Sequence, residues 1–506
     1  MSSGQQKKLQ KNPAFYSAPA NRDMTRVEVF NRTSKVFEVK GPGIAAYLSR
    51  EPFPAFEQGS KFNIRHFYCP NPIAALPLPQ AHHNTTPKKL SGVKRIPIFG
   101  DITLLHNTTS LNQLDPSGKM KDNPMLALIR PYARVFELID GAKTTKEIYD
   151  QIIHEYGHEI DPYIFLAFLD HLEDGGFIYW GGRPKLTTFD AVLSNRWDAN
   201  ITTIQDQFSY TELPLYTAIE MTYQCNLRCS DCYCNAFPSI KPLIWPEFKQ
   251  RILRQVVESG ISYVTLLGGE VLLDLPQVVE AITMLRDADI YVKLITNGTL
   301  VDNKNAALLS RSRINKIEIS FDGFDAKNND RFRGKETFDK SIQAIRLLKK
   351  EAIPIIGISV TIRNDNFDIV TKGLEDFVLT HGIHKVYFSK FYRSTSGNLG
   401  ELSLQQEDIL SEKCNEWIDR LSREIPRFEA VILGRRCTCG RSSAVISPNG
   451  TVKACPFSAS PAGILTHEAG LKSIWKDSDL LWDIREMPKE TCAARLDRAN
   501  VESFCL

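Results

Sequence analysis

Three thiols fall within eight residues in Cys225-Asn-Leu-Arg-Cys229-Ser-Asp-Cys232. Thiolates are the usual ligands of iron–sulfur clusters, and a short loop can hold three irons of a cubane. The fourth iron is then open, which is what a metal needs to bind and activate another molecule. A zinc site is the alternative. Zinc takes four ligands in paired spacings, and Cys234 is a fourth thiol, only two residues past Cys232. A second set lies toward the C-terminus: Cys437, Cys439, Cys455, Cys492 and Cys505. Cys69 and Cys414 stand alone. Eleven cysteines in a chain without a secretory signal favour metal binding or catalysis over disulfides.

These thiols need elements to hold them. From about residue 213 the pattern alternates strands and helices. Candidate strands cover 216–221, 263–267, 291–296, 316–320, 354–361 and 385–388, with amphipathic helices such as 245–259, 276–288 and 338–350 between them. That order implies parallel pairing, and six units fall short of eight, so a partial α/β barrel is expected. Active sites of parallel barrels lie at the carboxyl ends of the strands. The cysteine loop leaves the first strand there. The second ends in Gly268-Gly269-Glu270, the third in Thr296-Asn297-Gly298, and the fourth in Ser320-Phe321-Asp322-Gly323. Glycines admit a ligand to the backbone, and a carboxylate can hold an ammonium group. Each ending alone is also what a turn prefers; four in register describe one pocket.

The order CNLRCSDCY, LLGGE, ITNGTL, ISFDG and RFRG, over residues 213–400, resembles the radical S-adenosylmethionine (SAM) enzymes. The resemblance implies that Cys225, Cys229 and Cys232 bind a [4Fe–4S] cluster. Its open iron would chelate the amino and carboxylate groups of SAM. Gly268, Gly269 and Glu270 would contact the methionine amino group, with Asn297, Ser320 and Asp322 near the ribose or methionine end. Arg333 lies in a segment similar to that of members acting on peptides. Reductive cleavage would give a 5′-deoxyadenosyl radical that abstracts hydrogen from an unactivated C–H bond. Such chemistry implies a reducing partner such as flavodoxin or ferredoxin. Members often carry an aromatic residue or His before the third cysteine; here it is Asp231, and Tyr233 could make the adenine contact instead.

Gly450-Thr-Val-Lys-Ala-Cys455 resembles the opening of SPASM or twitch extensions, which carry auxiliary iron–sulfur clusters. The dense cysteine run of a full SPASM pattern is absent, which implies one auxiliary cluster. Its ligands would be Cys455, Cys492, Cys505 and either Cys437 or Cys439. A zinc knuckle is the alternative.

Upstream, residues 26–39 read as a hairpin and 70–89 as a Pro-rich linker. Residues 125–139, 146–156 and 162–173 read as three helices, followed by a strand at 177–180. This is the pattern of a winged helix. DNA binding asks for a basic face, whereas residues 119–185 carry eight basic against eleven acidic side chains, net −3. The segments Val135-Phe-Glu-Leu-Ile-Asp-Gly141 and Thr144-Thr-Lys-Glu-Ile-Tyr149 are similar to the precursor-peptide recognition element of ribosomal-peptide maturases, with strands supplied by 95–111. Such elements dock a leader peptide as an added strand.

The expected division is a 1–94 extension without an assigned role, a 95–185 recognition domain, a 186–212 linker, the 213–400 barrel and a 401–506 cluster domain. Together these describe a cytoplasmic peptide maturase that forms a thioether or carbon–carbon crosslink. An epimerase, a sulfatase-type maturase, an electron carrier and an iron–sulfur DNA-binding regulator are the rivals. The net charge of +3 gives no case for nucleic acid or a membrane surface, and no run of about 18 apolar residues is present.

Overall fold

A computed structural model describes residues 16–19, 26–30, 35–40, 78, 80–99, 102–109, 125–129, 132–156, 162–181, 210–230, 232–236, 240–390, 402–433, 438–458 and 460–487. The chain forms two compact units: Met1–Asn107 with Pro124–Glu212, and Thr108–Asn123 with Leu213–Leu506.

In the first unit, β1 (Tyr16–Pro19), β2 (Arg26–Phe30) and β3 (Lys35–Lys40) form an antiparallel meander. The expected hairpin is its β2–β3 half. The short strand β4 (Lys88–Lys89), in the stretch read as a linker, pairs with β8 (Ile178–Tyr179). A second sheet has the order β5 (Val93–Phe99), β6 (Ile102–Asn107), β7 (Met125–Ile129), all antiparallel. Three helices accompany it: α1 (Tyr132–Leu138), α2 (Thr145–Tyr156) and α3 (Pro162–Asp174).

One expectation fails here. Residues 125–139 are not one helix; Met125–Ile129 is a strand, and the helix begins at Tyr132. Five consecutive apolar residues satisfy both periodicities, and Pro131 separates them from the helix. Thr144 caps α2: its backbone N–H donates to Glu147 Oε2 at 2.8 Å, and Glu147 N–H donates back to Thr144 Oγ1 at 3.2 Å. Leu105, Leu126, Leu128, Val135, Phe136, Ile148, Ile152, Phe165 and Phe168 pack into one core.

The second unit is built on one sheet. Its strands are β9 (Tyr216–Thr222), β10 (Tyr263–Gly268), β11 (Tyr291–Thr296), β12 (Lys316–Phe321), β13 (Ile355–Ile362), β14 (Lys385–Lys390), β15 (Glu429–Leu433), β16 (Ser443–Ile446), β17 (Thr451–Lys453) and β18 (Gly463–Ile464). Among the described residues the spatial order is β15-β14-β13-β12-β11-β10-β9-β16-β17-β18. Pairing is parallel from β15 to β16, and β16–β17–β18 is antiparallel. The six expected strands are present. The parallel run continues past residue 400 into β15, and the tail hairpin extends the same sheet beside β9.

The helices of this unit follow short polar turns. They are α4 (Trp245–Phe248), a π-helical turn Lys249–Leu253, α5 (Arg254–Ser259), α6 (Leu275–Asp287), α7 (Asn303–Arg311), α8 (Ala326–Arg333), α9 (Thr337–Lys350), α10 (Phe367–His381), α11 (Leu404–Leu421), α12 (Leu471–Asp477) and α13 (Asp479–Glu486). Asp274, Asp302 and Asp325 cap α6, α7 and α8 by accepting from Gln277, Asn305 and Asn328 N–H. Ile219, Val264, Leu266, Val292, Leu294, Ile317, Ile319, Ile356, Ile358 and Val386 pack with the helices in one large core. The alternate positions Glu220, Lys293, Glu318, Ser320, Lys385 and Tyr387 fall on the opposite face of their strands.

Candidate active site

The cysteine loop is held by backbone before any side chain acts. Gly269 N–H donates to Thr222 O at 2.7 Å and Glu270 N–H to Gln224 O at 2.8 Å, so the end of β10 is stitched to the end of β9. Gly268 has φ +142°, and a Cβ there would lie 2.2 Å from Thr222 O. A Cβ on Gly269 would lie 2.1 Å from Gln224 O. Both glycines are therefore required by the strand that launches the loop, whatever binds beside them.

Glu270 is fully buried. Its Oε1 accepts from Leu272 N at 2.9 Å and Thr296 Oγ1 at 2.7 Å, and its Oε2 accepts from Asn297 N at 2.8 Å. Burial raises its carboxyl above the usual range, against the pull of these donors. The side chain thus ties β10 to β11. Asn297 continues the chain: its Nδ2 donates to Asn226 Oδ1 at 2.9 Å and lies 3.9 Å from Cys225 Sγ. Leu227 N–H donates to the same sulfur at 3.4 Å. Thr299 Oγ1 accepts from Asn226 Nδ2 at 2.9 Å.

The other side of the loop rests on α8. Ser230 N–H donates to Phe332 O at 3.1 Å. Asp322, 4% exposed, forms an ion pair with Arg333 Nε at 2.7 Å and accepts from Arg363 Nη1 at 3.2 Å. The Arg363 guanidinium lies 3.7 Å from the centre of the Phe332 ring. Burial pushes the Cys229 thiol up to about 11, opposed by the nearby Arg333 charge. Burial also raises Cys225, and Leu227 N–H opposes it.

Cys225, Cys229 and Cys232 are half-buried and in no disulfide, each pair close enough for one thiol to act on another's proton affinity. Among the described residues no three His, Cys, Asp or Glu side chains converge on a single-ion position. Three accessible thiols, with N–H donors aimed at one sulfur, fit a cluster whose thiolates accept hydrogen bonds. Asn297, Asp322 and Arg333 gather around the loop, while Ser320 pairs with Ser359 on the neighbouring strand. Asp231 lies outside the described residues. So do Cys437, Cys492 and Cys505; of the tail set, Cys439 is half-buried and Cys455 buried. Thr296, Asn226 and Arg363 bond to the candidate residues without having been named as site residues themselves. Thr296 and Asn226 sit inside the motifs; Arg363 has no local signal.

Residues 219–374 match the family described as the Radical SAM superfamily. The chain is 26% identical over 294 residues to the mycofactocin maturase MftC of Mycolicibacterium smegmatis, covering 54% of this chain and 73% of that protein. It is 23% identical over 355 residues to the subtilosin biosynthesis protein AlbA of Bacillus subtilis, covering 67% and 72%. It is 25% identical over 311 residues to an AdoMet-dependent heme synthase of Methanosarcina barkeri, covering 55% and 87%. Among solved structures, Streptococcus suis SuiB bound to S-adenosylmethionine superposes with a TM-score of 0.56 at 17% identity, covering 81% of this chain and 93% of that one. The chain thus contains a radical SAM domain with the radical SAM fold, and peptide maturases are among its relatives.

Proposed function

We propose that this protein is a radical SAM maturase of a ribosomal precursor peptide. The observation that carries the reading is the placement of three half-buried thiols on one loop that the Gly268–Glu270 backbone stitches to the end of β9. Cys225, Cys229 and Cys232 would hold a [4Fe–4S] cluster, and the remaining iron would take SAM. When bound and reduced, the pair supplies a 5′-deoxyadenosyl radical able to take hydrogen from a C–H bond.

The chain's own residues do the positioning. Leu227 N–H and Asn297 Nδ2 steady the Cys225 sulfur. Glu270 fixes the two strand ends by accepting from three donors, and Gly268, Gly269 and Glu270 are the candidate contacts for the methionine amino group. Asn297, Ser320, Asp322 and Arg333 remain the candidates for the ribose and methionine end, with Asp322 holding Arg333 in place. In the tail, Cys455 with Cys492, Cys505 and one of Cys437 or Cys439 would carry an auxiliary cluster. That cluster would accept the electron left after a crosslink forms.

The peptide substrate is supported by two features. One is the similarity to MftC and AlbA. The other is the first unit's β5–β6–β7 sheet, which pairs only internally among the described residues. Pro97 on β5 has no N–H to offer, which leaves β7 as the edge able to accept a leader strand. The acidity of residues 119–185 disfavours the DNA-binding reading.

The test is anaerobic. Reconstituted, dithionite-reduced protein is expected to convert SAM to 5′-deoxyadenosine. Co-expression with a precursor peptide encoded beside it should remove two hydrogens per crosslink. An unchanged mass with inverted chirality would assign an epimerase. No 5′-deoxyadenosine would leave electron transfer or sensing.

A further inference from the structure

The cysteine loop and the tail hairpin share one buried polar knot. Glu220 on β9 is fully buried; its Oε2 accepts from the Tyr223 hydroxyl at 2.5 Å and Ser447 Oγ at 3.3 Å, and pairs with Lys453 Nζ at 3.2 Å. Lys453 on β17, 2% exposed, also donates to the Tyr223 hydroxyl at 3.3 Å and to Pro456 O at 3.4 Å. Tyr223 stands two residues before Cys225, and Lys453 two residues before Cys455. At the far end of the loop, the buried Tyr233 hydroxyl lies within electrostatic reach of Glu220 and Cys234, and the Cys234 thiol interacts with Cys232. The Tyr233 ring packs edge-on against Phe457, 5.7 Å between centres. Both flanks of the loop and both flanks of Cys455 therefore meet at this one ion pair.

Stability is a poor reason for it. Two charges taken out of water are costly, and an apolar pair of similar volume would hold β9 to the hairpin at least as well. A charge pair does something that an apolar pair cannot: it sets a local potential where water and salt screen weakly. Through Cys234, which interacts with both Glu220 and Cys232, that potential reaches the loop assigned to the cluster.

We propose that Glu220 and Lys453 are positioning residues whose opposite charges set how readily the cluster on Cys225, Cys229 and Cys232 is reduced. The C-terminal hairpin thereby supplies half of that setting. The inference rests on the cluster assignment made above. One-electron reduction adds negative charge to the cluster. The Glu220 carboxylate opposes that addition, and the Lys453 ammonium favours it.

The test uses the full chain, reconstituted with iron and sulfide and titrated potentiometrically, with electron paramagnetic resonance as the readout. The relevant signal is the one absent from Cys225→Ala. Relative to the wild type, Glu220→Gln should raise the midpoint potential and Lys453→Met should lower it. The double variant should return toward the wild-type value. A structural role alone would move both single variants the same way or reduce their iron content alike, and that result overturns the proposal, as does no shift in either. If Lys453→Met does not fold by circular dichroism, Tyr223→Phe, which strips a donor from the same carboxylate, must lower the potential instead. A spectrum that Cys225→Ala leaves wholly unchanged overturns the cluster assignment, and this inference with it. A cluster signal lost in Cys225→Ala with unmoved potentials overturns the inference alone.

Discussion

Burial sets the chemistry of Cys229 before any metal is considered. A thiol at about 11 is ionised to roughly one part in a thousand at pH 8, against about a quarter for an unperturbed thiol. The thiolate is both the nucleophile and the metal ligand. In the metal-free folded protein, carbamidomethylation of Cys229 should therefore run about two hundredfold slower at pH 8 than in the unfolded chain. It should rise about tenfold per pH unit until near pH 10. The direction follows from the shift: a raised thiol gains its reactive form only at higher pH. Peptide mass spectrometry of timed labelling measures this, and a folded-state rate flat between pH 8 and 10 would contradict it. The same burial means that cluster assembly must release protons, so loading should quicken as pH rises.

At the scale of elements, glycine placement decides whether the loop is presented at all. Gly269→Ala drives a Cβ to 2.1 Å from the Gln224 carbonyl, an encounter with backbone that no rotamer relieves. The expected cost is about 1–3 kcal/mol of stability together with loss of cluster content, because the displaced backbone leads into Cys225. Gly260→Ala is the control. Its φ is +85° but nothing lies within 4 Å of its Cβ, so it should cost about 1–2 kcal/mol and leave iron content intact. Thermal unfolding and iron analysis separate the two, and equal iron loss would sink the argument.

The strand endings were legible in the sequence because Gly, Asn, Ser and Asp must cluster where parallel strands meet a pocket. What Glu270 does was not legible, since its partners Thr296 and Asn297 arrive from the next strand, 26 and 27 residues on. The Arg363–Asp322 pair spans 41 residues and has no motif. β7 was misread because an isolated apolar run carries no phase, and only β6 beside it makes it a strand.

For the whole molecule, the question is which surface receives the peptide. Two edges of the β5–β6–β7 sheet pair with nothing else among the described residues. They are not equivalent: Pro97 interrupts the donors of β5, whereas Met125–Ile129 contains no proline. An added strand gains its affinity from main-chain hydrogen bonds, so the uninterrupted edge should bind it. Hydrogen–deuterium exchange on the full chain checks this. Leader peptide at saturating concentration should slow the amides of residues 125–129 and leave those of 93–99 at their free rates. Protection confined to 93–99 would place the peptide on the other edge. Protection of neither, with 5′-deoxyadenosine still formed, would separate the first unit from substrate capture and leave the second unit to recognise its substrate unaided.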